Sequence, residues 1–229
     1  MSETRVPDTA IVTGSAGGIG RALVTALEAE GTTVRGLDIV DGFDVSDPQA
    51  WVDIAPADLV CLNAGVLAKG DGTLDDYRRI VAVNVDGVVF GIQGLAPRMQ
   101  PGSAFVVTAS LAGLIPMASD PLYVLTKHAV VGYARSMAEV LEPRGIRVNL
   151  VCPGIVRTPM TAPKQADFDA AGFPLMEPEQ IADAVLLAAR SELTGQAWVC
   201  QPGREPLLFR FPNVPGPRVE GAEGMVPQL

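Results

Sequence analysis

The 229-residue chain holds a single histidine, His128, and only three cysteines, Cys61, Cys152 and Cys200, widely spaced and without a CxxC pair. One histidine excludes any mechanism that needs two. Three isolated cysteines argue against a disulfide scaffold and against a zinc site, so no metal is expected. Basic residues are the minority: 17 Lys and Arg against 26 Asp and Glu give a net charge of −9. Such a surface does not suit a nucleic acid, which needs a basic stripe, nor an acidic membrane surface. No apolar run reaches about 18 residues without a polar break, so no membrane-spanning helix is expected. The opening MSETRVPDTA lacks the basic and apolar regions of a signal peptide, and the expected location is cytoplasmic. What is present is 48% apolar and 19% charged residues, ample for a core in one α/β domain.

Apolar, β-rich runs alternate with helical patterns. Strand candidates fall at 10–13, 33–38, 43–45, 58–63, 104–109, 147–152 and 197–200. Most are continuously apolar, as in a parallel sheet covered on both faces. Helices are expected from Ile19 to a stop at Gly31, from Thr73 through Met99, from about Asp120 to Leu141, and from Pro178 to Arg190. Thr73 with Asp76 resembles a capping box. This alternation predicts βαβ units and a single, mostly parallel, doubly wound sheet of these seven strands flanked by helices. After Cys200 the chain turns rich in proline and glycine, and 202–229 reads as an irregular tail.

The sequence Thr13-Gly14-Ser15-Ala16-Gly17-Gly18-Ile19-Gly20 follows the first strand and opens the first helix. Gly14 permits a tight turn, Gly18 lets backbone approach a pyrophosphate, and Gly20 allows close helix–strand packing. The helix N-terminus then offers free N–H groups to phosphate. A plain glycine turn is the alternative. Asp38, 18 residues after Gly20, ends the second strand at the position of a ribose-binding carboxylate. It would repel a 2′-phosphate. With no Arg or Lys in the loop before Gly18 or directly after Asp38, NAD is favoured over NADP.

Tyr123-Val-Leu-Thr-Lys127 places a phenol and an ammonium on one face of a helix. A nearby cation lowers a phenol's pKa, and such a pair can exchange a proton with an alcohol or carbonyl. An ordinary amphipathic helix surface would show the same spacing.

Taken in order, TGSAGGIG at 13–20, Asp44-Val45, Asn63-Ala64-Gly65, Asn84 in VNVDG, Ser110, Tyr123 with Lys127, and Pro153-Gly154 with Thr158 resemble the short-chain dehydrogenase/reductase family over about residues 8–200. The resemblance implies a Rossmann-like domain and an oxidoreductase interconverting a secondary alcohol and a ketone. It implies Tyr123 as general acid/base and Lys127 as holder of the nicotinamide ribose that also depresses the tyrosine pKa. Ser110 would bind the substrate oxygen, and Asn84 would hold a water behind Lys127. Cofactor contacts carried over are Gly14, Ser15, Gly18, Ile19, Gly20 and Asp38 on the adenosine and pyrophosphate side. Asp44 and Val45 would meet the adenine. Asn63, Ala64 and Gly65 would lie beside the ribose. Pro153, Gly154, Val156 and Thr158 would flank the nicotinamide, with Tyr123 and Lys127 close by. Alternatives are an NADP-preferring carbonyl reductase, a sugar-nucleotide epimerase or dehydratase, and a non-catalytic NAD-sensing binding protein.

The chain departs from the family in one place. Only five residues separate Asp38 from Asp44, where a crossover helix is usual, so the 43–45 strand is in doubt. The short segment 158–177 carries Met160, Phe168, Phe173, Leu175 and Met176 and reads as a lid for a small lipophilic alcohol or ketone, or as a satellite cluster. His128 is expected at the surface and the cysteines in buried strands. Surplus apolar residues across 80–99 point to a homodimer or homotetramer. The tail would cross a neighbour or cap the cleft.

Overall fold

The computed structural model describes residues 6–70, 72–212, 219 and 221. Seven strands form one sheet in the order β2-β1-β3-β4-β5-β6-β7. They are β1 (Thr9–Thr13), β2 (Thr33–Leu37), β3 (Leu59–Leu62), β4 (Ala104–Thr108), β5 (Arg147–Pro153), β6 (Ala197–Cys200) and β7 (Leu207–Leu208). The first six pair in parallel and β7 returns antiparallel on β6. β3 and β4 are buried at every position, which accounts for their unbroken apolar sequence.

Helices cover both faces. One face is packed by α1 (Gly18–Ala29) and α6 (Pro178–Arg190), whose Leu23, Leu27, Ile181 and Val185 meet Val12, Cys61 and Val106. The other is packed by α3 (Gly87–Leu95) and α4 (Pro121–Leu141) over Val60, Phe105 and Leu150. The doubly wound sheet is as expected, and the direction of winding reverses between β1 and β3. Ligands of such sheets bind outside the carboxyl ends of the strands at that switch point.

Four features differ from the expectations. Residues 43–45 form no strand. The connection is too short for a parallel crossover, and 3₁₀ turns at Ile39–Asp41 and Pro48–Trp51 occupy it instead. The seventh strand is β7, in the segment read as irregular tail. The helix expected over 73–99 is α2 (Leu74–Val81), a π-helical turn (Ala82–Asp86), α3 and a 3₁₀ turn (Ala96–Arg98). This 25-residue stretch is, by length and composition alone, apolar enough to cross a membrane, which corrects the expectation that none is. Its Ile80, Val88, Ile92 and Leu95 are buried against the sheet, the position of a core helix. Finally, a short helix, α5 (Gln165–Ala170), lies in the 158–177 segment, and that segment's Met176 is buried in the core beside Val156 rather than on a surface. The distal tail, residues 213–218, 220 and 222–229, lies outside the described residues.

Candidate functional site

Gly14 sits in the left-handed region at φ 66°, and its N–H donates to Leu37 O at 2.9 Å. A Cβ on Gly20 would stand 2.0 Å from Gly14 O, so this close approach of helix to loop requires glycine. Ser15 lies against Gly36, and Ile19 packs on the core below. A Cβ on Gly18 would meet the Thr158 side chain at 3.0 Å, so the loop faces the segment after β5 across a narrow gap. Asp38 ties the loop to the end of β2: one carboxylate oxygen accepts Ala16 N–H at 2.9 Å, the other Val40 N–H at 3.1 Å. Asn63 and Ala64 both donate their N–H to Thr13 Oγ1, and Asn63 Nδ2 donates to Thr13 O. Thr13, which opens the glycine motif, is therefore the peg that joins β1 to β3 at the switch point.

Tyr123 and Lys127 lie one turn apart on α4, with Lys127 Nζ 5.5 Å from the Tyr123 ring centre. Lys127 is buried and donates to Thr108 O at 2.9 Å. Gly65 abuts it: a Cβ there would lie 3.5 Å from Nζ and 3.4 Å from Asn84 Oδ1. Asn84 is 1% exposed. It sits in the π-helical turn, whose extra residue lets its amide grip Val66 N and O at 2.8 and 2.9 Å and reach Thr126 Oγ1 at 3.0 Å. Ser110 caps a 3₁₀ turn (Leu111–Gly113), its Oγ accepting Ala112 N–H at 3.1 Å, and its side chain acts on the Tyr123 hydroxyl. Pro153 ends β5, Gly154 N–H donates to Cys200 O at 2.9 Å, and Val156 is buried.

Burial is the largest influence on Tyr123 and pushes its pKa up to about 12; the Ser110 side chain acts against this, while the charges of Asp120 and Cys152 act with it. The depression of Tyr123 expected from Lys127 does not appear in this cofactor-free chain, and burial drives Lys127 itself down to about 8.

Asp44 stands apart. Its exposed carboxylate accepts Ser46 N–H and Oγ–H, while Val45 is buried against Gly87 and its carbonyl accepts Trp51 Nε1–H. His128 is exposed, and all three cysteines are buried, as expected. In the 158–177 segment Phe168 and Phe173 pack ring on ring at 5.9 Å, and Met160 and Phe173 stay exposed.

The cradle fits a dinucleotide. A Cβ at Gly20 would collide with Gly14 O, and Gly14 and Gly18 hold positive φ with only 3.0 Å to spare. Backbone therefore lines the loop, and Asp38 retains lone pairs for hydroxyls. One buried hydroxyl at this end of the sheet, Thr108 Oγ1, has no partner among the described residues.

A glycine cradle at the switch point of a doubly wound sheet, with a half-buried tyrosine and a buried lysine beside it, defines a nicotinamide-linked oxidoreductase. The family model described as enoyl-(acyl carrier protein) reductase matches residues 49–203. A 3-alpha-(or 20-beta)-hydroxysteroid dehydrogenase of Mycobacterium tuberculosis is 33% identical over 84% of this chain and 86% of its own length. A trans-4-hydroxycyclohexanecarboxylate dehydrogenase of Sinomonas cyclohexanicum is 32% identical over 76% and 73%. An uncharacterized short-chain type dehydrogenase/reductase of Sinorhizobium fredii is 32% identical over 95% of this chain, which spans only 47% of that protein. A solved structure described as a glucose/ribitol dehydrogenase of Brucella melitensis superposes with a TM-score of 0.78 at 27% identity, over 88% of this chain and 96% of that one. The chain belongs to the short-chain dehydrogenase/reductase family, whose dehydrogenases act on CH–OH groups with a nicotinamide cofactor.

Proposed function

We propose that this chain is an NAD-linked dehydrogenase that interconverts a lipophilic secondary alcohol and its ketone. The observation that carries the reading is the convergence of Tyr123, Ser110, Lys127 and Asn84 at the ends of β4 and α4, beside the glycine cradle. NAD, when bound, supplies the hydride acceptor and a positive charge near the tyrosine. Gly14, Ser15, Gly18, Ile19 and Gly20 would hold its pyrophosphate, and Asp38 its adenosine ribose. Asn63, Ala64 and Gly65 would border the ribose, and Asp44 and Val45 the adenine. Pro153, Gly154, Val156 and Thr158 would border the nicotinamide. The exposed Asp44 is the weakest of these contacts, and Asp38 carries the preference over NADP by charge repulsion.

Ser110 orients the substrate oxygen and donates to it as negative charge develops. Tyr123 transfers the proton. At neutral pH it is the protonated form in this structure, the form that donates to a ketone oxygen; oxidation needs a cation to draw the proton off. Lys127 places its ammonium there, and Asn84 buttresses the segment behind it. The 158–177 segment acts as the lid. Its exposed Met160 and Phe173 favour a lipophilic substrate, and two relatives are named for alicyclic alcohols. Half-buried Val81 and Val89, with Val85 and Phe90 at the margin of the core, support a homodimer or homotetramer.

The test is a panel of cyclic secondary alcohols assayed with NAD and with NADP, in the wild type and Tyr123→Phe. The expected result is reduction of NAD at least tenfold faster than of NADP, with Tyr123→Phe binding NAD normally but losing turnover by about 10²–10⁴-fold. Faster turnover with NADP would mark a carbonyl reductase. Tightly bound cofactor with no net redox change would mark an epimerase-type enzyme. NAD binding with no substrate oxidised and a silent Tyr123→Phe would mark a sensing protein.

A further inference from the structure

Between β3 and α2 the backbone of residues 66–70 has no regular structure, yet four side chains hold it. Asn84 takes Val66 N and O. Arg79 donates to Leu67 O at 2.7 Å. Asp76, buried and paired with Arg79, accepts Lys69 N–H at 2.6 Å and Gly70 N–H at 3.3 Å. Asp120 accepts Ala68 N–H at 3.1 Å. Three of these clamps come from the α2 stretch and its π-helical turn. Asp120 alone comes from the other side of the site, as the N-cap of α4, where its second oxygen accepts Tyr123 N–H at 2.9 Å.

We propose that Asp120 is a positioning residue: one carboxylate bridges the first turn of the helix that carries Tyr123 to the segment that backs Lys127 and Asn84, so the two walls of the site are held as a unit. This rests on the proton-transfer role given above to Tyr123. The bridge goes beyond an ordinary helix cap. A cap needs one acceptor for an N-terminal N–H, and serine or asparagine supplies it equally well. Here both oxygens are used, on backbone groups 55 residues apart in sequence, Ala68 and Tyr123.

The Asp120 carboxylate charge also bears on the Tyr123 hydroxyl and favours the protonated phenol. The other groups facing Tyr123 are Lys127 on its own helix, Ser110 after β4, and Cys152 on β5. Neutralising Asp120 while keeping a capping oxygen therefore separates charge and bridge from simple capping.

The test uses the full chain with Asp120→Asn and Asp120→Ala. Phenolate absorbance is titrated in each and referenced to the same variant carrying Tyr123→Phe, so that Tyr123 is followed without turnover. Asp120→Asn keeps the Tyr123 cap, loses the acceptor for Ala68 and removes the charge. It is expected to fold with a wild-type melting temperature, to move the Tyr123 titration to lower pH by on the order of half a unit, and to lower kcat several-fold with little change in the Kd for NAD. Asp120→Ala, which loses both contacts, is expected to lower kcat by about tenfold or more. A Tyr123 titration and kcat unchanged in Asp120→Asn would overturn the inference and leave Asp120 a plain cap. A shifted titration with Tyr123→Phe still fully active would instead refute the catalytic reading of Tyr123 while the positioning stands.

Discussion

Lys127 is a charged group in a dry place. It is 4% exposed and spends one proton on Thr108 O, while burial lowers its pKa to about 8. Because the folded chain holds this proton less tightly than the unfolded one, the unfolded state binds more protons between about pH 8 and the ordinary lysine value. Stability of the cofactor-free protein is therefore expected to rise with pH through that window and to be lowest, for this group, below it. Tyr123 works in the opposite sense above about pH 10, where the unfolded phenol ionises and the folded one does not. Replacing the ammonium should relieve the cost at neutral pH. Lys127→Met is expected to abolish turnover yet stabilise the free protein by about 1–2 kcal/mol at pH 7, less than the full desolvation because Thr108 O loses its donor. Urea melts of both proteins at pH 7 and pH 9.5 check this. A variant that is less stable at pH 7, or a gap that does not narrow by pH 9.5, would mean the lysine is not penalised. The expected stabilisation would make the lysine a strain on the fold, as is common where sites demand buried charge.

At the scale of elements, the region that departs most from the family pattern shows how the chain fills the place of a missing crossover. The ridge of α3 facing the 43–51 segment is glycine: a Cβ on Gly87 would strike Val45 at 2.8 Å, and one on Gly91 would strike Leu62 at 2.6 Å and Trp51 at 3.0 Å. Trp51, fully buried, lies on that ridge with its ring edge to Phe43 at 5.1 Å and its N–H on Val45 O. One tryptophan thus covers sheet that a helix would otherwise cover. It leaves a shallow groove of about 420 Å³ between Pro48, Val52 and the α3 residues Phe90 and Gln93. Trp51→Ala is expected to cost about 3–5 kcal/mol, seen as a fall in the denaturation midpoint, and to disturb the adenine side through Val45 before it touches Tyr123. A loss under 1 kcal/mol would show that the segment is not part of the core. This packing was hidden in the sequence, where Phe43 and Val45 read as a strand by composition alone. The continuous apolar runs of β3, β4 and β5 and the Asp-Pro start of α4 were legible, because parallel strands and capped helices write themselves in local pattern. The helical spacing Tyr123–Lys127 was legible for the same reason. The π-helical turn at Asn84, the clamp on 66–70 and the burial of Met176 depend on contacts far apart in sequence, which periodicity does not carry.

For the whole molecule the two sheet edges are unlike. At one end β7 folds back on β6, and beyond it Phe209 and Phe211 pack edge to face at 4.9 Å, with the Arg135 guanidinium of α4 stacked 3.7 Å over Phe211. The proximal part of the segment read as tail is therefore built into the body of the same chain, and that edge has its own closing strand. At the other end β2 keeps an outer edge, with exposed Thr33, Arg35 and Gly36. Charged and glycine residues on such an edge discourage strand pairing between copies. Association is thus expected through helices: the half-buried Val81, Val85, Val89 and Phe90 of the α2–α3 stretch, and exposed Leu125 and Val140 on α4. Multi-angle light scattering should give twice the 23.9 kDa chain mass or a higher multiple, and Val85→Asp with Val89→Asp should shift it toward the monomer without altering far-ultraviolet circular dichroism. A wild-type mass of one chain at micromolar concentration would remove the interface. The half-buried valines would then be the outer margin of a core that one layer of helices already covers.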